Sequence, residues 1–257
     1  MLPSLPRSLA LSSFVLFGMV GCAAPTAEEA DADDTTEDEL RAYSMADGEH
    51  PEVGRLTFKE GRMYCTATAV GRRTILTAAH CATPVEGAPA GTTCKGVFAV
   101  DPSGAGGARA PWQRFAFHTC ARLRVPGAIP GERDLAVIHL DADLPASLPV
   151  ARVAARYPSS GSRTVYGYGR FGEGCASGGD EHKRKREIRL SRGMFRTVTC
   201  PGDSGGPHFH TGTNEIVGVV SGDLLVQVTA DPVDHGDWVR ERIAESESGR
   251  PFTDDAL

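Results

Sequence analysis

Three short stretches of this 257-residue chain hold side chains suited to nucleophilic chemistry. They are Thr77-Ala78-Ala79-His80-Cys81, Asp134-Leu135-Ala136-Val137 and Gly202-Asp203-Ser204-Gly205-Gly206-Pro207. A serine hydroxyl is a weak nucleophile at neutral pH and needs an adjacent base to take its proton. An imidazole titrates near working pH, which suits His80 to that task. A buried carboxylate, here Asp134, would fix the imidazole tautomer and stabilise the imidazolium formed on attack. Glycines around Ser204 let the backbone bend so that the N–H groups of Gly202 and Ser204 converge on a developing oxyanion. Losing one such donor typically costs about 10²–10³ in rate. The chemistry in view is acyl transfer through a covalent serine intermediate.

The elements that must position these groups read as strands. From Val53 onward, short β-rich runs alternate with Gly, Pro and Asp turns: residues 66–70, 74–77, 97–100, 135–140, 164–168, 187–190, 216–220 and 224–229. Regularly spaced short strands with turn signals indicate an all-β barrel or sandwich. A content of 30 Gly and 17 Pro suits such a loop-rich protein better than a helical bundle. His80 follows the run ending at Thr77, Asp134 opens the next strand, and Ser204 sits in a tight glycine loop. The one helix expected lies at the end, where Asp237 is placed to cap Trp238, Val239, Arg242 and Ile243.

In chain order the triad candidates run His, Asp, Ser. With their flanking residues they closely resemble the trypsin/chymotrypsin-like serine protease family over about residues 45–245. That resemblance implies two six-stranded antiparallel barrels with a short C-terminal helix. It implies a serine endopeptidase acting through His80, Asp134 and Ser204, with Gly202 and Ser204 as oxyanion donors. Gly167-Tyr168-Gly169 resembles the family's Gly-Trp-Gly turn. Ile216 to Ser221 resembles the strand that binds substrate backbone, with Ser221 placed to hydrogen-bond Asp134. Cys65 and Cys81 fit the disulfide closing the loop that carries the histidine; closing about 15 residues is worth roughly 3 kcal/mol. The expected partners are protein or peptide substrates, with no cofactor or metal.

The chain departs from the family in two places. Six residues before the serine, where trypsins carry the aspartate that selects Arg or Lys, it has Val198. Ser221-Gly222-Asp223 replaces the family's Ser-Trp-Gly, and the loop that walls the pocket is shortened. Val198, Ser221 and Asp223 are therefore the substrate-binding candidates, and a protease-fold binding protein with weak or no activity is the alternative reading. The second departure concerns activation. Family zymogens are cut to free an N-terminus that pairs with the aspartate before the serine, here Asp203. The nearest match is Met45-Ala46-Asp47-Gly48 after Ser44, which has no basic residue directly before it. An activating protease cutting near residue 44 would also sever anything attached upstream, since no cysteine lies between 22 and 65.

Residues 1–22 read as an address. A short segment with Arg7 precedes an apolar stretch from Leu9 to Val20, too short to span a bilayer. Met19-Val20-Gly21-Cys22 resembles a bacterial lipobox, which would make Cys22 a lipidation site and the protein an exported, membrane-anchored lipoprotein, otherwise a secreted one. Acyl chains would supply about 0.8 kcal/mol of membrane affinity per buried CH₂. Residues 23–42 are rich in Ala, Asp, Glu and Thr and read as an acidic, self-repelling disordered linker. The protease-like domain is then 43–257. The whole net charge of −6 falls in the first 42 residues, so the body is neutral and has no basic field to attract nucleic acid. Setting Cys22 aside leaves Cys65, Cys81, Cys94, Cys120, Cys175 and Cys200, an even number that suits an oxidising compartment. Six cysteines allow 15 pairings, of which sequence neighbours (65–81, 94–120, 175–200) are the simplest.

Weaker signals remain. Lys183 to Arg186 reads as a solvated surface loop and a place for self-cleavage rather than a nucleic-acid patch. His208-Phe209-His210 has the alternation that puts two imidazoles on one strand face, but no obvious third ligand accompanies them. His118 and His139 read as strand or core residues.

Overall fold

The computed structural model describes residues 43–58, 62–82, 93–123, 133–178, 181–189, 199–223, 226–250 and 252. Cys22, Val198 and the segment 1–42 lie outside these residues. Among these residues thirteen strands and one α-helix follow in order: β1 Ser44–Met45, β2 Val53–Phe58, β3 Arg62–Ala69, β4 Thr74–Thr77, β5 Thr93–Val100, β6 Gln113–Leu123, β7 Leu135–Leu140, β8 Arg152–Val153, β9 Ser162–Gly167, β10 Arg184–Arg189, β11 Pro207–His210, β12 Glu215–Asp223, β13 Val226–Ala230 and α1 Gly236–Glu247.

The first half is a closed six-stranded antiparallel barrel in the order β2-β3-β4-β7-β6-β5. Its strands carry the apolar residues expected of an enclosed core: Leu56, Ile75, Phe98, Phe117, Ile138 and Leu140 are all fully buried. Burying each such side chain contributes about 1.5–3 kcal/mol. The short strand β4, Thr-Ile-Leu-Thr, is buried at all four positions because it runs between β3 and β7. The second half is a seven-stranded sheet ordered β1-β10-β9-β11-β12-β13, with β8 beside β12. Its pairings are antiparallel except for the two-residue parallel pairing of β8 with β12. Among the described residues this sheet does not close on itself, so the second barrel is seen as an open sheet. The architecture is the all-β fold expected, a six-stranded barrel with a second β unit and one C-terminal helix.

Two local expectations are corrected. Asp237 is not the helix cap: His235 holds that position without a side-chain cap bond, and Asp237 lies in the first turn, paired with Arg240 at 2.7 Å. There its charge still favours the helix N-terminus. The basic tract is not a solvated loop either. Lys183, Arg184 and Arg186 are buried, and 184–186 belong to β10, between β1 and β9. Neighbouring acids, Glu52 and Asp101 buried and Asp47 and Glu49 part-exposed, explain this for Lys183. Lys183 Nζ donates to the His50 carbonyl at 2.8 Å. Burial pushes its pKa down to about 8, against the pull of Glu52, Asp47, Asp101 and Glu49. Arg184 stacks 3.5 Å from the centre of the Phe171 ring.

The cysteines pair as 65–81, 94–120 and 175–200. Three disulfides indicate an exported protein. No helix among the described residues is long and apolar enough to cross a membrane.

His208, on β11, is fully buried, and among the described residues neither ring nitrogen has a hydrogen-bond partner. Burial, then the charge of Arg163, pushes its pKa down to about 3. His118 pairs with Asp141 at 2.7 Å and His139 with Ser246 Oγ at 2.9 Å, both on barrel strands. A depressed histidine pKa means the unfolded chain takes up a proton between about pH 6.5 and 3 that the folded chain refuses. Stability is thus fully present above about 6.5 and is lost as pH falls, by at most about 1.4 kcal/mol per pH unit for this one group. Urea midpoints measured from pH 7 to 4.5 should fall less steeply for His208→Leu than for the wild-type protein. Parallel curves would show that His208 carries none of the acid sensitivity.

Candidate active site

The pairing of β4 with β7 sets Thr77 opposite Ala136, which brings the residues following β4 beside those preceding β7. His80 stands in a single 3-10 turn, Ala79–Cys81, tied to β3 through the Cys65–Cys81 disulfide. The turn is fixed on Asp134. The Ala79 N–H donates to the Asp134 carbonyl at 3.1 Å, and the His80 N–H to Oδ1 at 2.8 Å. The imidazole Nδ1 lies 2.5 Å from Oδ2. Ser221 reaches across from β12 and donates its hydroxyl to the same Oδ2 at 2.6 Å. Burial alone would push the Asp134 pKa up, but the hydrogen bonds from His80 and Ser221 and the attraction of His80 hold it below the usual carboxylate range. An ionised Asp134 accepting from Nδ1–H leaves the Nε2 lone pair for another proton.

The serine loop is clamped between the two halves. Thr66 of β3 donates its N–H to the Ser204 carbonyl at 2.8 Å and its hydroxyl to the Gly202 carbonyl at 2.9 Å. Thr77 donates to the Thr66 carbonyl at 2.8 Å, joining this clamp to the strand that leads to His80. On the other side Gly205 N–H donates to Val220 O at 2.7 Å, and Val220 N–H returns to Gly206 O at 2.8 Å. The Ser204 carbonyl lies 3.6 Å from Cys81 Sγ, so the loop abuts the turn carrying His80. Gly205 is at φ +82°, and a Cβ there would stand 2.0 Å from Thr77 Oγ1, so only glycine fits. Among the described residues the N–H groups of Gly202 and Ser204 donate to no backbone carbonyl.

Asp203, between them, points inward and is buried. Its oxygens accept from the Gly169 N–H at 2.8 Å, the Cys200 N–H at 2.9 Å and the Tyr43 hydroxyl at 3.2 Å. Burial pushes its pKa up to about 6, against those three donors and the charge of Arg184. A Cβ on Gly169 would stand 2.5 Å from Asp203 Oδ1, which accounts for glycine in the Gly167-Tyr168-Gly169 turn.

His80, Asp134 and Ser221 thus meet, with the Ser204 loop against them. Asp223 pairs through its backbone with Val226 at the β12–β13 hairpin. Sequence reasoning missed Thr66, Thr77 and Tyr43. Thr66 carries no local signal, being a threonine within a β-run. Tyr43, the aromatic residue ending the acidic stretch, had a signal that went unread. Among the described residues the one His/Cys/carboxylate cluster tight enough for a cation is Cys65, His80 and Cys81, whose two sulfurs are joined in a disulfide.

Comparison with known proteins bears on the fold and the family. No curated protein sequence matches the chain. Among solved structures, neuropsin, a serine protease expressed in the limbic system of mouse brain, is similar in fold. Its TM-score is 0.56 at 18% identity, covering 77% of this chain and 97% of that one. The trypsin family model matches residues 41–232, three quarters of the sequence, and the chain accordingly belongs to the trypsin family.

Proposed function

We propose that the protein is a serine endopeptidase that hydrolyses peptide bonds through an acyl-enzyme intermediate. The observation that carries this reading is the shared carboxylate: Asp134 accepts from the imidazole and peptide N–H of His80 and from Ser221, all within 2.8 Å. A structural aspartate would need none of these partners to be an imidazole beside a glycine-bounded serine.

In the proposed mechanism the Ser204 hydroxyl attacks the scissile carbonyl as His80 Nε2 takes its proton. Asp134 stabilises the imidazolium that results. The oxyanion is received by the N–H groups of Gly202 and Ser204. His80 returns the proton to the leaving amine, and water then repeats the sequence on the acyl group. Export and attachment through acyl chains at Cys22 complete the proposal.

A fluorophosphonate probe tests it, since only an activated serine with a formed oxyanion site reacts quickly. The folded protein should label at one residue, and Ser204→Ala should abolish the label. A folded wild-type protein left unlabelled both before and after limited proteolysis would instead make this a binding protein on a protease scaffold.

A further inference from the structure

The fixing of Asp203 has a source that the serine loop does not itself supply. Residues 43–50 lie along β10 and are laced to it. Ser44 and Met45 pair with Lys185 and Arg184, and the Ala46 N–H donates to the Lys183 carbonyl at 2.9 Å. Asp47 takes the Lys183 N–H and the His182 ring, both at 2.7 Å. Glu49 takes Lys185 at 2.5 Å and the Tyr166 hydroxyl at 2.8 Å. Just ahead of this seam, Tyr43 turns inward and its hydroxyl reaches Asp203 from 160 positions away in sequence.

We infer that Tyr43 is the positioning residue that holds Asp203, and through it the Gly202–Ser204 turn, so that the uncut chain is competent. The inference rests on the proposed serine peptidase reading. Its physical basis is that Asp203 is buried one residue from the nucleophile and has few donors. Two are backbone N–H groups fixed by the Gly169 turn and Cys200; the third is the Tyr43 phenol. The charged groups facing this carboxylate are Arg184 and Arg186, both on β10, and Arg186 also contacts Tyr43. The phenol stays a donor, because burial and the charge of Asp203 raise its pKa. A cut near residue 44 would remove Tyr43. The new amino end would also be held in the pairing with β10, and would have to leave that pairing to approach Asp203.

The test uses the full chain carrying Tyr43→Phe, which deletes one oxygen. Asp203 should be followed by carboxyl ¹³C NMR, its signal identified by loss in Asp203→Asn. Removing one donor to the ionised form should raise its midpoint by about one pH unit. The acid limb of fluorophosphonate labelling should move with it, so the variant labels about fivefold more slowly than wild type at pH 6 and at nearly the same rate at pH 9. A purely structural role for Tyr43 would slow labelling equally at both pH values, and an unchanged Asp203 midpoint would overturn the inference. In a second arm, a site for a specific protease is placed between Tyr43 and Ser44 and cut after folding. Labelling should fall on cutting; a rise would overturn the inference in favour of proteolytic activation. If the wild-type protein labels neither before nor after cutting, the peptidase reading fails, while the Asp203 titration still decides the role of Tyr43.

Discussion

With alanine at Ser204, at His80 or at both, hydrolysis of a fluorescent casein should fall by about 10⁶ in kcat in each single variant and no further in the double variant. In the proposed mechanism the two side chains act as one unit. Without His80 the hydroxyl proton has no acceptor, and without Ser204 the imidazole has no proton to take. Once either is gone, only the oxyanion donors and substrate binding remain, a residue of about 10³–10⁴ over the reaction in water. Steady-state kinetics on all three variants would read this directly. Single variants retaining more than about 1% of wild-type kcat, or losses that multiply in the double, would mean that Ser204 and His80 do not work together.

Asp134→Asn should lower kcat by about 10⁴ with little change in fold. The carboxylate serves three donors: His80 Nδ1, the His80 N–H and the Ser221 hydroxyl. An amide has one accepting oxygen and one NH₂ group, so one of these partners must face a donor. If the NH₂ faces Nδ1, the imidazole is driven to the tautomer protonated at Nε2, which presents a hydrogen rather than a lone pair to the serine. If it faces the peptide N–H, the turn carrying His80 shifts. Ser221→Ala, which removes one donor and leaves the charge, should cost only about tenfold. Equal losses in the two variants would show that packing around the carboxylate matters and its chemistry does not.

The triad candidates were legible because each lies in a short local motif. The strands that flank them, 74–77 and 135–140, end where the pattern places them. What was missed depends on partners distant in sequence. Lys183, Arg184 and Arg186 look like a solvated run until Asp47, Glu49, Glu52 and Asp203 are known to surround them. The clamp formed by Thr66 was unreadable because a threonine in a β-run has an ordinary strand role and nothing local ties it to residues 202–204. The β-branched and apolar pattern that marks β4 is weak in β6, where Arg114, Ala116 and His118 face solvent, so the longest strand of the barrel left little trace. Asp237 lies two residues inside the cap because capping preference and helix-dipole preference both favour an acid near a helix start.

The three disulfides have a consequence for how the enzyme would fail. Two of them, 65–81 and 94–120, lie within the barrel half, and the third, 175–200, joins a 3-10 turn and a loop of the second half. None crosses the boundary at which Asp134 meets Ser221 and Thr66 meets the serine loop. Each half is therefore stapled to itself, while the junction between them is held without a disulfide, by hydrogen bonds, packing and ion pairing such as Arg55 with Glu181 at 2.9 Å. Mild denaturant or gentle heating should part the halves first, extinguishing reactivity while both β structures and their covalent links persist, and cooling should bring the same two intact pieces back into register.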